Sequence, residues 1–175
     1  MNRLFVALRP PTVIRQGLMQ VMTGVPGARW QDDDQLHLTV RFLGEVDRHQ
    51  ADDVVAAMNR IGGERIAARI AGTGKFANAL WAGVAPHAPL LALYARVDSA
   101  LRLAGIAPDD RAYLPHVTLA RMARGRSESP GATGWLADHA ALTSPVFTLD
   151  RLTLFESTLG HEGAHYEAIG VWPLD

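Results

Sequence analysis

A chain of 175 residues, 48% of them apolar, can bury a sizeable core and is most simply one domain, or two small lobes sharing an interface. Its formal charge of −1 provides no global field that points to nucleic acid or a membrane, though a few local cations can still hold a small or short anionic ligand. The lack of cysteine excludes disulfides, thiolate zinc centres and cysteine nucleophiles. The apolar run in residues 1–9 is too short for a signal peptide, and no run approaches the ~18 apolar residues of a membrane span. A soluble cytoplasmic protein is expected, with a monomer as the default.

Residues 3–9 are β-prone and predict a first strand, stopped by Pro10-Pro11. Proline fits the first turn of a helix. Ile14, Leu18, Val21 and Met22 then follow helical spacing, so a helix is predicted over 11–23. Asp32-Asp33-Asp34 reads as a solvated loop, with a metal site as the minor alternative. In the next strand Leu36, Leu38, Val40 and Phe42 alternate onto one face and His37, Thr39 and Arg41 onto the other. That is the pattern of a strand with one buried face and one working face. Val54, Met58 and Ile61 predict a helix over 51–61, closed by Gly62-Gly63.

Strands are predicted over 65–72 and 80–84, with Gly74-Lys75 between them. Those two residues are not a phosphate loop, because Arg69 stands where that motif needs Gly and Phe76 where it needs Ser or Thr. The strongest helical pattern covers 88–103, with the stripe Leu90, Tyr94, Val97 and Leu101 facing the core and Gly105 at its end. A turn at Pro108-Asp109-Asp110 leads into the strand Leu114-Pro115-His116-Val117-Thr118-Leu119-Ala120-Arg121. Residues 124–134 are rich in Gly, Ser, Arg and Pro and read as a loop long enough to rim a site. A helix over 135–142 follows, then strands over 147–155 and 166–171 joined by a turn at 160–163. The order of elements repeats loosely, which predicts an α+β fold of two pseudo-symmetric lobes. Each lobe is a small antiparallel sheet with helices on its outer face, and a cleft lies between them.

The two strands that dominate this pattern each read His-x-Thr-x, with His37 and His116 79 residues apart. Residues i and i+2 of a strand share a face, so each run sets an imidazole beside a hydroxyl. A lone strand histidine is more often an ordinary partly buried residue, and Thr is simply a good strand former. The doubling is what points to two halves of one site. One imidazole can take a proton from water or a hydroxyl while the other gives one to a leaving oxygen, since a pKa near 6.5 populates both forms at neutrality. Thr39 and Thr118 can donate to the free oxygens of a phosphodiester. His49, His87 and His139 lack this doubled context. His161 and His165 are four apart, as metal ligands on a helix can be, but their Gly-flanked setting is turn-like.

With these motifs the sequence resembles the 2H phosphoesterases, and within them the RNA 2′,3′-cyclic phosphodiesterases, also called 2′-5′ RNA ligases. The resemblance runs through Arg3-Leu4-Phe5-Val6-Ala7-Leu8, the two His-x-Thr runs with Leu43-Gly44 and Arg121, Leu80-Trp81-Ala82-Gly83-Val84, and the closing strands from Leu154 to Tyr166. It implies a single bilobal domain over 1–175 and metal-independent hydrolysis of RNA 2′,3′-cyclic phosphate ends to 2′-phosphomonoesters. It also implies reversible joining of such an end to a 5′-hydroxyl, with no cofactor. By the same resemblance His37 is the proton donor, His116 the proton acceptor, and Thr39, Thr118 and Arg121 bind substrate. Strict alternation from His116 would turn Arg121 to the wrong face unless a bulge re-aims it. Arg41 faces the right way by alternation but could instead pair with the acidic loop. Phe5, Phe42 and Trp81 could stack a base, although core packing is the more ordinary role for such residues. Two alternatives stand beside this reading: a relative acting on a small cyclic nucleotide or an ADP-ribose cyclic phosphate, and a non-catalytic RNA-end binding module.

Overall fold

A computed structural model describes residues 2–175. In chain order the elements are β1 (Asn2–Leu8), α1 (Thr12–Met19), β2 (Arg29–Trp30), a 3-10 turn (Asp33–Gln35), β3 (Leu38–Val46), α2 (Arg48–Met58), β4 (Ile66–Phe76), β5 (Ala79–Ala85) and α3 (His87–Leu103). They continue with β6 (His116–Arg121), a second 3-10 turn (Arg126–Glu128), α4 (Pro130–Asp138), β7 (Phe147–Leu149), β8 (Arg151–Gly160) and β9 (Gly163–Pro173). No helix among the described residues is long and apolar enough to cross a membrane.

The fold is α+β, as the alternation of patterns predicts. The strands run in the order β7-β4-β5-β6-β3-β1-β8-β9, with β2 also pairing β6, and every pairing is antiparallel. The two expected small sheets are halves of one nine-stranded sheet, because β3 and β6 pair at Leu38↔Val117. One large core fills the space between sheet and helices. It takes Leu4, Val6, Leu8, Leu38 and Val40 from the first half, Leu80, Ala82, Val117 and Leu119 from the second, and Leu18, Val54, Leu93 and Val97 from the helices. A small second cluster of Phe5, Ala7 and Phe155, with Tyr166 against it, lies on the other face of the sheet.

Two elements differ from expectation. Helix α4 begins at Pro130, inside the segment read as loop. Ser129 caps it, its Oγ accepting the Ala132 N–H at 3.3 Å, and Pro130 fills the first turn, where its missing N–H costs nothing. Gly131 argues for a loop by composition, yet it is there for a close approach: a Cβ on it would stand 3.0 Å from Cδ of Pro26. The single strand predicted over 147–155 is two. β7 pairs β4 and β8 pairs β1, so the chain crosses between halves of the sheet at Asp150. The positions facing the main core switch there from 147 and 149 to 152 and 154, a phase slip at the crossing.

Candidate active site

The two His-x-Thr runs meet at the centre of the sheet. Leu38 and Val117, the residues inside each motif, are directly paired and fully buried toward the helices. Their neighbours therefore face the other way. Continuing the antiparallel register one step each way sets His37 opposite Thr118 and Thr39 opposite His116. The two imidazoles thus lie diagonally across one junction, on the face away from the helices.

Each histidine is held in the same way. Nδ1 of His37 donates to the Gln35 carbonyl at 2.7 Å, and Nδ1 of His116 donates to the Leu114 carbonyl at 2.6 Å. With Nδ1 carrying the proton, Nε2 of each neutral ring is the acceptor. Nε2 of His37 accepts from the Thr39 hydroxyl at 3.0 Å. Burial, against the help of the Gln35 carbonyl, lowers the His37 pKa to about 4, and the positive charges of Arg121, His116 and Arg9 lower it further. Burial and Arg121 also lower the pKa of His116. Both rings are thus biased toward the neutral form, and an anion between them would reverse much of that bias.

Aromatic rings wall both sides. Phe5 lies 4.8 Å from the His37 ring, and Tyr166 meets that ring edge-on at 5.2 Å. Phe76 meets His116 edge-on at 5.0 Å, and Trp81 lies 5.8 Å from it. Trp81 lies flat over Gly74, where any Cβ would collide with the indole. Gly74 is therefore needed to seat the ring beside His116. Phe5 is buried, as core packing predicts, while Phe42 and Phe76 are 45% and 42% exposed at the edges of this face. Tyr113 and Tyr94, with ring centroids 4.5 Å apart, brace the site from the side, the Tyr113 hydroxyl donating to the Thr39 carbonyl at 3.1 Å.

Bulges decide the remaining positions. In β6 the partners of β5 step from Leu80↔Ala120 to Trp81↔Thr118, so Leu119 is an extra residue. The alternation flips beyond it, and the charge of Arg121 acts on both histidines, as a bulge would allow. The same device works on β3, where β1 steps from Val6↔Arg41 to Ala7↔Thr39 and leaves Val40 extra. This corrects the assignment of Arg41 to the working face and of Phe42 to the buried one. Arg41 is 3% exposed on the helical side, its Nε 2.8 Å from the Asp98 carboxylate of α3 and its Nη2 donating to the Ala107 carbonyl at 2.6 Å. Phe42 takes the place on the site face, 5.9 Å from Phe5. Strict alternation cannot anticipate either, because a bulge is visible only from the partner strand.

The acidic run is used locally. Asp32 caps the 3-10 turn through the Gln35 N–H, and Asp33 pairs with Arg15 at 2.9 Å. His161 lies in the β8–β9 turn and His165 in β9, opposite Thr158. Among the described residues no group of three or more His, Asp or Glu side chains is gathered as metal ligands would be.

Comparison with known proteins agrees with this arrangement. The RNA 2′,3′-cyclic phosphodiesterase of Methanocaldococcus jannaschii is 26% identical over 97% of this chain and 99% of its own length. That of Thermus thermophilus is 32% identical over 68% of each chain. Among solved structures, E. coli LigT complexed with 3′-AMP superposes with a TM-score of 0.80 at 23% identity, covering 99% of this chain and 98% of that one, which shows a shared fold. The family described as LigT like Phosphoesterase matches twice, over residues 8–85 and 82–166, once for each His-x-Thr motif. Carrying that repeat nearly end to end, the chain belongs to the LigT-like phosphoesterase family.

Proposed function

We propose that this protein hydrolyses RNA 2′,3′-cyclic phosphate ends to 2′-phosphomonoesters, with His37 and His116 as the proton-transfer pair, acting as a single bilobal domain. The observation that carries the reading is the doubled tether. Both imidazoles have Nδ1 bound to a backbone carbonyl, leaving Nε2 for chemistry, and both stand on one face with a threonine two residues on. The relatives named above as RNA 2′,3′-cyclic phosphodiesterases and the 3′-AMP bound by a protein of the same fold favour this substrate class.

In the reaction Nε2 of His116 takes a proton from water as the water oxygen bonds to phosphorus. The bond from phosphorus to the 3′-oxygen breaks, and that oxygen takes the proton carried by Nε2 of His37. Thr39 and Thr118 donate to the non-bridging oxygens, where charge builds up. Arg121, on the same face, binds the substrate. With a 5′-hydroxyl in place of water the same groups run the joining reaction in the same roles, and they exchange roles when the 2′-5′ linkage is cleaved back to the cyclic phosphate.

The test is turnover of a panel of mononucleotide, RNA 3′-end and ADP-ribose-type cyclic phosphates, after chelator treatment and desalting. Hydrolysis of the RNA end should persist without divalent metal. His37→Ala or His116→Ala alone should slow it by about 10²–10⁴-fold, the usual contribution of one proton-transfer group. Turnover that returns only with added metal, or wild-type rates in either variant, would overturn the two-histidine assignment. Undiminished RNA-end affinity with no turnover in the wild type would leave a binding module instead.

A further inference from the structure

Arg29 and Arg121 are directly opposite each other in the β2–β6 pairing, so both side chains leave the same face of the sheet. Like charges set directly opposite in adjacent strands are destabilising. Six arginines of the fold are matched by a carboxylate: Arg9 and Arg15 pair with Asp33, Arg41 and Arg102 with Asp98, Arg111 with Asp109, and Arg151 with Asp150. Among the described residues Arg29 and Arg121 make no ion pair, and both are exposed. The acid nearest in sequence, Asp32, has a carboxylate oxygen occupied by the Gln35 N–H at 3.1 Å.

What distinguishes this pair from the other arginines without an ion pair is its direct cross-strand juxtaposition beside the site. Arg121 lies close enough to act on His37 and His116, and both arginines act on the Tyr166 hydroxyl. Arg29 lies under the tip of the β8–β9 hairpin, where a Cβ on Gly163 would stand 3.7 Å from its guanidinium carbon. The Gln35 side chain ties that hairpin down by donating to the Ala164 carbonyl at 2.8 Å. Along β6 the arginine pair begins three residues beyond Thr118, on the order of 10 Å from the centre of the site at strand spacing.

We propose that Arg29 and Arg121, with the Tyr166 hydroxyl, form a second anion subsite that holds the phosphodiester one nucleotide upstream of the reacting end. The protein then selects a chain end over a mononucleotide. The inference rests on the reading of the site as one for RNA cyclic phosphate ends, and it supplies what that reading lacks, a basis for preferring an oligomer. A chain whose net charge is −1 gains this preference from two local cations rather than a global field.

The experiment compares Arg29→Gln with wild type on three substrates: a nucleoside 2′,3′-cyclic phosphate, the same compound with a 5′-monophosphate, and a dinucleotide ending in a cyclic phosphate. The loss of kcat/KM on the dinucleotide should exceed that on the nucleoside by at least tenfold, and Arg29→Lys should recover most of it. In wild type, log kcat/KM against log salt should be steeper for the dinucleotide by about 0.7, one phosphate contact on a single strand, and Arg29→Gln should remove the difference. Equal losses on all substrates would overturn the subsite. A loss on the 5′-monophosphate as large as that on the dinucleotide would show a site for a terminal phosphate and overturn the upstream-diester assignment. Affinity for a dinucleotide 3′-phosphate against a nucleoside 3′-phosphate, measured by calorimetry with both proteins, tests the subsite without turnover. If no cyclic phosphate is hydrolysed, that ratio still moves with Arg29 or refutes the proposal.

Discussion

Binding an anion at the His37–His116 junction should draw a proton onto the protein. Burial holds the His37 pKa at about 4 in the free site, so at pH 5.5 only about 3% of the rings are charged. The proposed acid must nevertheless carry a proton to give to the leaving oxygen. Raising its pKa from about 4 to about 7 requires about 4 kcal/mol at 1.36 kcal/mol per pH unit. A unit negative charge 4 Å away supplies about 4 kcal/mol at an effective dielectric constant of 20, so one phosphate oxyanion beside Nε2 is sufficient. The assay is calorimetric titration with sulfate, which does not titrate in this range, in buffers of different ionisation enthalpy at pH 5.5. Uptake of up to about 0.9 proton is expected in wild type, the difference between a group titrating at about 4 and one at about 7, and it should collapse in His37→Asn. In the same way the limbs of the kcat profile should lie above those of kcat/KM, which reports the free enzyme, although each limb belongs to the coupled pair. Binding without proton uptake, or uptake unchanged in His37→Asn, would refute the account of how the acid is charged.

The depressed pKa of His37 also sets a stability slope. The unfolded chain binds more protons than the fold between about pH 6.5 and 4, so this contribution is full above pH 6.5, is lost as pH falls toward 4, and should flatten in His37→Asn melts. Thr39→Val and Thr118→Val keep shape but remove a donor, and each should cost up to roughly 3–4 kcal/mol of transition-state stabilisation. If rates fall only as far as the folded fraction falls, these threonines are structural. Asp98→Ala strands the buried Arg41 guanidinium and should destabilise the fold by about 3–5 kcal/mol in denaturant melts, whereas Arg41→Met with Asp98→Leu should recover much of that loss. A double variant as unstable as Asp98→Ala would show that the loss is one of packing.

What was legible in the sequence is local. The alternation around His37 and His116 is a period-2 signal, and it correctly places each histidine on the face of its threonine because no bulge intervenes between i and i+2. Helices α1, α2 and α3 followed from apolar spacing and their glycine or proline ends. The duplication of the motif was visible too, because each copy has the same relation to its own core. The tertiary structure decided whatever depends on a partner strand. The extra residues at Val40 and Leu119 are defined only by the strands beside them, yet they send Arg41 to Asp98 and bring Phe42 and Arg121 to the site face. The apolar run slips phase at Asp150, but that β7 pairs β4 while β8 pairs β1 is decided only by the assembled sheet. So is Arg29: a lone arginine in a two-residue strand has no pattern of its own, and only the register with β6 sets it opposite Arg121. A sequence encodes which residues share a face of one strand; which charges must face one another is settled when strands pair.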